Sequence, residues 1–237
     1  FGNLNYVINS NFIKPRTAEL EGYNLINNKH AKFGILLFED FNIMQICLSC
    51  GINPFKTLDK KKLLKFKKNC QLWFDKATFI SDNYFLLNKL LNKKKIDFYL
   101  TGGTFTCSVA RKEGYKNIIS IVPKNKINNL KQGIIFTEVT SILKNKVYSN
   151  YELFLDYILS IKKSYEIAMS KYTCNPVLQM GDSKVFNLFS RNDLDIIQWN
   201  TLNNSQSFSH EYQIIPNYKK LLTVFRKILS LYPQKFI

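Results

Sequence analysis

Histidine is nearly absent from this sequence: His30 and His210 are the only two in 237 residues. Each stands in a polar, loop-like setting, so neither marks a general base or a metal ligand. The GxSxG elbow, the phosphate-binding P-loop and the GxGxxG turn are all missing, which removes the common hydrolase, nucleotide and dinucleotide signatures. Cys107 as a nucleophile would need a histidine partner, and no pattern supplies one. No apolar run reaches the length that crosses a bilayer. There is no internal repeat and no low-complexity linker, so the chain is not a string of separate beads.

Acidic residues are scarce. Lys and Arg number 34 against 17 Asp and Glu, a formal net charge of +17. That balance invites a nucleic-acid partner. The excess is mostly Lys, however, and is spread along the chain with many Asn, Ile, Phe and Tyr, as the codons of an AT-rich genome favour. No nucleic-acid motif accompanies it, and none is expected as a partner. Lys60–Lys62 and Lys93–Lys95 adjoin helical patterns and read as solvated faces. The five cysteines are Cys47, Cys50, Cys70, Cys107 and Cys174. Cys47-x-x-Cys50 has no second pair to complete a zinc site, and an odd count argues against a full disulfide framework. Lying in the apolar run "IMQICLSCGI", both are expected to be reduced, buried small apolar side chains.

What is present suits a folded core: 46% hydrophobic and 14% aromatic residues, enough for one large domain or two small lobes. Strand-like and helix-like segments alternate. "FGILLF" (33–38) predicts a strand and "FNIMQICLSC" a helix, capped by Asp40 or Asn42 and ended by Gly51. Residues 59–74 have helical spacing, and Ser81 or Asp82 can cap "NYFLLNKLLNKK". "IDFYL" (96–100), 117–123 and 133–143 predict further strands. Residues 151–169 predict a helix or a broken pair, and 218–232 an amphipathic helix. This order predicts an α/β fold with mainly parallel strands.

Open α/β sheets place ligands at the carboxyl ends of their strands. Asp40 and Asn42 follow the first of these strands. Tyr99 and the Thr101-Gly102-Gly103-Thr104 turn end the next. Glu138 lies beside Phe136 in the 133–143 segment. Carboxylates among aromatic rings can hold a cation by ion pairing and cation–π contact. Each residue has a plainer role open to it. Asp40 can cap a helix, Glu138 can pair with a surface Lys, and the glycines can simply permit a sharp turn or turn backbone N–H groups toward an anion.

Five segments in order carry a family resemblance: "FGNLNYVIN", "AKFGILLFEDFNIMQICLSCGINPF", "IDFYLTGGTFTCSVARKEG", "KQGIIFTEVTSIL" and "CNPVLQMGD". Together they resemble the bacterial extracellular solute-binding proteins of ABC importers, in the spermidine/putrescine-binding branch. The resemblance implies a type II periplasmic binding-protein fold of two lobes joined by a hinge, with the N-terminal half of lobe one lying before Phe1. Residues 1–16 would be a remnant of lobe one and 17–100 lobe two. Residues 101–185 would continue lobe one, and 186–237 would be C-terminal helices returning to lobe two. It implies a non-catalytic, monomeric, periplasmic protein whose signal peptide is lost with the missing segment. Such a protein captures a small amine-bearing solute by hinge closure and hands it to an inner-membrane permease, without metal or cofactor. An amino-acid-like zwitterion or an anion is the alternative ligand, and an enzyme on the same fold the alternative class. Carried across by position, Asp40 and Glu138 would be ligand carboxylates, with Glu138 the main counter-ion, and Tyr6 an aromatic wall. Ile43 stands where the polyamine binders have a second acid, and Thr101–Thr104 replaces a Trp-containing segment.

Overall fold

The computed structural model describes residues 2–139 and 150–237. Its centre is a strand that takes neighbours on both edges. β1 (Gly2–Asn9) is buried along its whole length. β2 (Phe33–Leu36), β3 (Phe79–Ser81) and β4 (Phe98–Gly102) lie on one side of it, in the order β3-β2-β4-β1. On the other edge, β5 (Ile118–Ile121) pairs with Tyr6–Asn9, and β6 (Gly133–Phe136) pairs with Gly2–Leu4. β7 (Ser209–Glu211) adds to β6.

The sheet is mixed, which corrects the expectation of mainly parallel strands. β2, β3 and β4 are mutually parallel, as are β6 and β7, but β1 runs antiparallel to β4, β5 and β6. All four segments expected from the resemblance contribute strands to this one sheet, and the boundary drawn after residue 100 falls inside β4.

After a first short helix, α1 (Pro15–Glu21), the helices form where capping and apolar spacing agree. Asp59 accepts the Lys62 N–H at 2.8 Å and opens α3 (Lys60–Lys76), a charge-compatible N-cap. One face of α3 buries Phe66, Cys70, Trp73 and Phe74, the spacing of a helix packed on a core. α4 (Tyr84–Asn92) is capped by Asn83, which accepts the N–H groups of Phe85 and Leu86. Neither Ser81 nor Asp82 serves, because the Ser81 hydroxyl is occupied by the Asn83 N–H and the Ile237 carbonyl. α2 (Glu39–Ser49) begins two residues before the Asp40 cap and four before the Asn42 cap that the sequence offered, with Phe38 at the N-cap. It ends at Cys50–Gly51, and Gly51 supplies the φ of +71° needed past its last turn.

Two cores sandwich the sheet. On one face α2, α3 and the C-terminal helix (Tyr218–Leu229) bury Met44, Cys47, Trp73, Phe74, Leu221 and Phe225 against Leu4, Tyr6 and Ile8. On the other, α4 and α5 (Thr104–Lys112) bury Leu87, Leu91 and Cys107 against Val7, Tyr99 and Ile118. The 151–169 segment is the broken pair, α6 (Tyr151–Leu159) and α7 (Ile161–Ala168). A third cluster, from Ala168 through Cys174 and Met180 to Ile197, organises the short helices that follow. The strand expected over 133–143 stops at Phe136; residues 140–143 lie outside the described residues.

Candidate functional site

β4 reaches its carboxyl end through a local distortion. The β1–β4 register shifts between Asn5 and Tyr6, which face Gly102 and Leu100, and Thr101, the extra residue of this bulge, has φ +66°. A left-handed threonine is strained and persists only when its surroundings hold it. Here the hold is a chain of buried side chains. Asn42 donates to the Leu36 carbonyl at 3.0 Å and to Thr101 Oγ1 at 2.6 Å, and accepts the Phe38 N–H at 2.8 Å. Thr101 donates onward to Gln45 Oε1 at 3.1 Å, and Gln45 donates to the Asn5 carbonyl at 2.9 Å. The relay ties the ends of β2 and β4 to the middle of β1, and none of Asn42, Gln45 and Thr101 is exposed.

The glycines that follow serve close packing. A Cβ on Gly103 would lie 1.9 Å from the Asn3 carbonyl oxygen, and one on Gly102 would lie 2.4 Å from the Tyr99 ring. Backbone thus runs against backbone where β1 passes the start of α5. The Thr104 N–H is accepted by Asn3 Oδ1 at 3.0 Å, so the first donor of α5 is occupied from within the protein.

At these same strand ends lies a half-exposed aromatic cluster. Phe41, one turn into α2, meets Phe136 at 5.5 Å and Tyr212 at 5.6 Å between ring centroids. Phe105 meets Phe136 at 6.0 Å, and Phe38 meets Phe41 at 6.4 Å. Asp40 borders the cluster, its Oδ2 accepting from the Tyr212 hydroxyl at 3.3 Å. Burial first, and then the Asp40 carboxylate, hold the Tyr212 and Tyr218 phenols above their ordinary values. The neighbouring Glu39 is committed elsewhere: Arg226 grips it with two bonds of 2.6 and 2.7 Å, and these bonds lower its pKa. A cleft of about 760 Å³ opens beside Phe136 and Tyr212 along β6 and β7, past Ser209, His210 and Glu211.

Asp40, Gly102, Gly103, Thr104 and Phe136 therefore gather at one end of the sheet, although Gly102, Gly103 and Thr104 are buried there. Glu138 is exposed beyond the end of β6. Tyr6 and Tyr99 are not wall residues. Tyr6 is buried, its hydroxyl donating to the Ala18 carbonyl. Tyr99 is buried on the opposite face of the sheet, bonded to Asn88 at 3.0 Å and Thr106 at 2.9 Å. Both lie inside paired strands, where the side-chain alternation turns them into the two cores. Asn42 and Thr101, expected at a ligand, are the structural relay. Phe41, Phe105 and Tyr212 were missed. Phe41 and Phe105 directly follow Asp40 and Thr104, and that adjacency was the available signal.

His210 sits in β7 rather than a loop, half-buried against Phe55, and burial lowers its pKa. Cys107 is fully buried with its thiol 3.1 Å from Gln198 Oε1, and burial pushes it up to about 12. Cys47 is buried and Cys50 half-buried, neither in a disulfide. Among the described residues no helix is long and apolar enough to cross a membrane.

No protein-family model matches the sequence, and no curated protein matches it. Solved structures do. An ABC transporter from Clostridium perfringens ATCC 13124 superposes with a TM-score of 0.58 at 10% identity, over 99% of this chain and 67% of that one. The spermidine/putrescine ABC transporter substrate-binding protein PotD from Streptococcus pneumoniae, in complex with calcium and HEPES, gives 0.60 at 12% identity, over 96% and 67%. At such identities the likeness is one of fold, and the chain has the fold of ABC transporter substrate-binding proteins.

Proposed function

We propose that the protein is the solute-binding component of an ABC importer and that it captures a small amine-bearing solute. The reading includes an extracytoplasmic location and a membrane permease as the receiving partner. The observation that carries it is Asp40: a carboxylate at the carboxyl ends of the strands, bonded to Tyr212 and bordered by Phe41 and Phe136. An ammonium group there gains a charge-assisted hydrogen bond of about 1.5–3 kcal/mol. Aromatic faces add about 0.5–2 kcal/mol by cation–π attraction. Asp40 is bonded to Tyr212, which lines the cleft along β6 and β7, and on this reading closure of a second lobe over a bound solute favours the closed state by contacts to both sides. An anion held at the Gly102-Gly103 turn is the poorer reading, because Asn3 already accepts the Thr104 N–H.

The test is a thermal-shift screen with putrescine, glutamate and phosphate, followed by calorimetry on Asp40→Asn and Glu138→Gln. Putrescine is expected to raise the melting temperature, and Asp40→Asn to weaken it about ten- to a hundredfold. Stabilisation by phosphate or glutamate alone, or full putrescine affinity in Asp40→Asn, overturns the reading. Glu138→Gln measures whether the second acid reaches the same solute.

A further inference from the structure

The pole opposite Asp40 gathers positive charge that the proposed function does not use. Four turns meet at the amino ends of β2 and β4, and backbone and side-chain hydrogen bonds stitch them together. The Asp97 N–H donates to the Lys32 carbonyl at 2.7 Å, and Asp97 Oδ2 accepts the Lys32 N–H at 2.8 Å. The Asn9 N–H donates to the Asp97 carbonyl at 3.4 Å, and the Ser10 N–H to the Asn117 carbonyl at 2.8 Å. These four turns, 9–14, 28–32, 93–97 and 114–117, carry seven lysines and one carboxylate, Asp97. Lys116 is paired with Asp195. Lys14, Lys29, Lys32, Lys93, Lys94 and Lys95 are exposed, and among the described residues none of the six enters an ion pair. Lys94 lies over the half-buried Phe12 ring at 5.0 Å.

Helix chemistry accounts for only part of this. α4 ends at Asn92, and its carbonyl end presents roughly half a negative charge. That is less than the Lys93–Lys95 triplet by itself, and Lys14, Lys29 and Lys32 follow no α-helix terminus. Like charges gathered on adjoining turns repel one another unless a partner supplies the opposite sign.

We propose that this basic pole docks on a lipid bilayer bearing anionic headgroups. A planar negative surface can meet several stitched turns at once, and six ammonium groups on short loops can reach it without unfolding any element. Docked this way, the protein keeps the Asp40 end facing away from the bilayer. It can then load solute while held, and must let go or turn over to present that end to a membrane protein. The inference does not depend on which solute is bound.

The experiment is co-sedimentation with phosphatidylcholine vesicles, with and without about one third phosphatidylglycerol, over a salt series. Two triple variants lose the same charge: Lys93→Gln/Lys94→Gln/Lys95→Gln at the pole, and Lys60→Gln/Lys61→Gln/Lys65→Gln at the other end, in the first turns of α3. Far-UV circular dichroism and thermal melts establish that both fold. The protein is expected to bind anionic vesicles only and to release with salt. The pole variant should bind about a hundredfold more weakly, at roughly fivefold per lysine, and the α3 variant much less so. Equal losses in the two variants would show attraction to net charge alone and overturn the proposal. So would failure to bind anionic vesicles, or binding of duplex DNA through the same lysines in preference to the vesicles.

Discussion

Asn42→Ala separates a structural relay from a ligand contact. In the wild type the Asn42 amide meets three groups: the Phe38 N–H, the Leu36 carbonyl and the Thr101 hydroxyl. All lie at the ends of β2 and β4, and Asn42 itself is fully buried. Truncation leaves the first two without that partner. Each buried group so stranded costs about 1–3 kcal/mol. Thr101 keeps Gln45, so its loss is smaller, but its left-handed backbone is then held by one side chain rather than two. The sum is about 3–5 kcal/mol, a large share of the ~5–15 kcal/mol that ordinarily separates folded from unfolded states. For a chain of this size, each kcal/mol lowers the melting temperature by about 2–4 °C, so a drop of about 6–20 °C is expected. Urea denaturation with fluorescence and circular dichroism in parallel gives the free energy, provided the transitions coincide. A variant within about 1 kcal/mol of wild type would refute the relay. If it also lost putrescine stabilisation, Asn42 would be a ligand contact after all.

Three further outcomes follow from the same geometry. Gly103→Ala places a methyl group 1.9 Å from the Asn3 carbonyl oxygen, and because that atom is backbone, β1 or α5 must move; a loss of at least about 3 kcal/mol is expected in denaturation, and a neutral result would contradict the close approach. Arg226→Gln removes the bonds that depress Glu39, so carboxyl NMR should show its pKa rising toward the ordinary glutamate value. A depressed acid contributes stability above its unfolded pKa and loses it as pH falls through the folded one, so the variant should lose less stability than wild type on acidification through that window. Thiol labelling with mass-spectrometric mapping should modify Cys50 first, since it is half-exposed with a pKa near 11, while Cys47, Cys70 and Cys107 are buried and raised by that burial; Cys107 reacting as fast as Cys50 would contradict the packing.

The elements were more legible than their partners. Apolar runs announced β2, β4, β5, β6, α2, α3, α4 and the C-terminal helix, because local pattern is set by local burial, whereas the caps proved to be Phe38 and Asn83, and α5 went unread. Pairing is not local. Nothing in "GNLNYVIN" says that it will lie antiparallel between β4 and β6, and that choice decides which way Tyr6 points. The same limit hid Tyr99: in "IDFYLTGGT" alternation predicts opposite faces for Phe98 and Tyr99, but not which face meets the ligand. β7 escaped notice because three residues, Ser209–Glu211, carry too little pattern to register. The φ of Thr101 was also invisible, since threonine ordinarily avoids that region and only the relay behind it makes it tenable.

Charge gives the strongest link between sequence and site. Glu39 and Asp40 share the first turn of α2, where the helix dipole favours carboxylates, and dipole stabilisation alone would explain both. Their fates differ. Arg226 neutralises Glu39 by a bidentate grip, whereas Asp40 meets only a neutral phenol and its own helix's Phe41 N–H. No lysine or arginine pairs with Asp40 among the described residues, in a chain carrying 34 of them. On the proposed reading, this carboxylate, left without a cation, bordered by aromatic rings and set at the open end of the sheet, is matched by a cation from outside. Because the surrounding field is strongly positive, a cationic solute meets long-range repulsion before it meets Asp40. Added salt screens that repulsion over about 10 Å at 0.1 M. Moderate salt is therefore expected to speed the association of a diamine, and it should loosen the grip of anionic vesicles on the opposite pole in the same experiment. An association rate for putrescine that falls steeply with salt would mean that the solute is drawn in by charge over long range, and Asp40 would then be the wrong centre of the site.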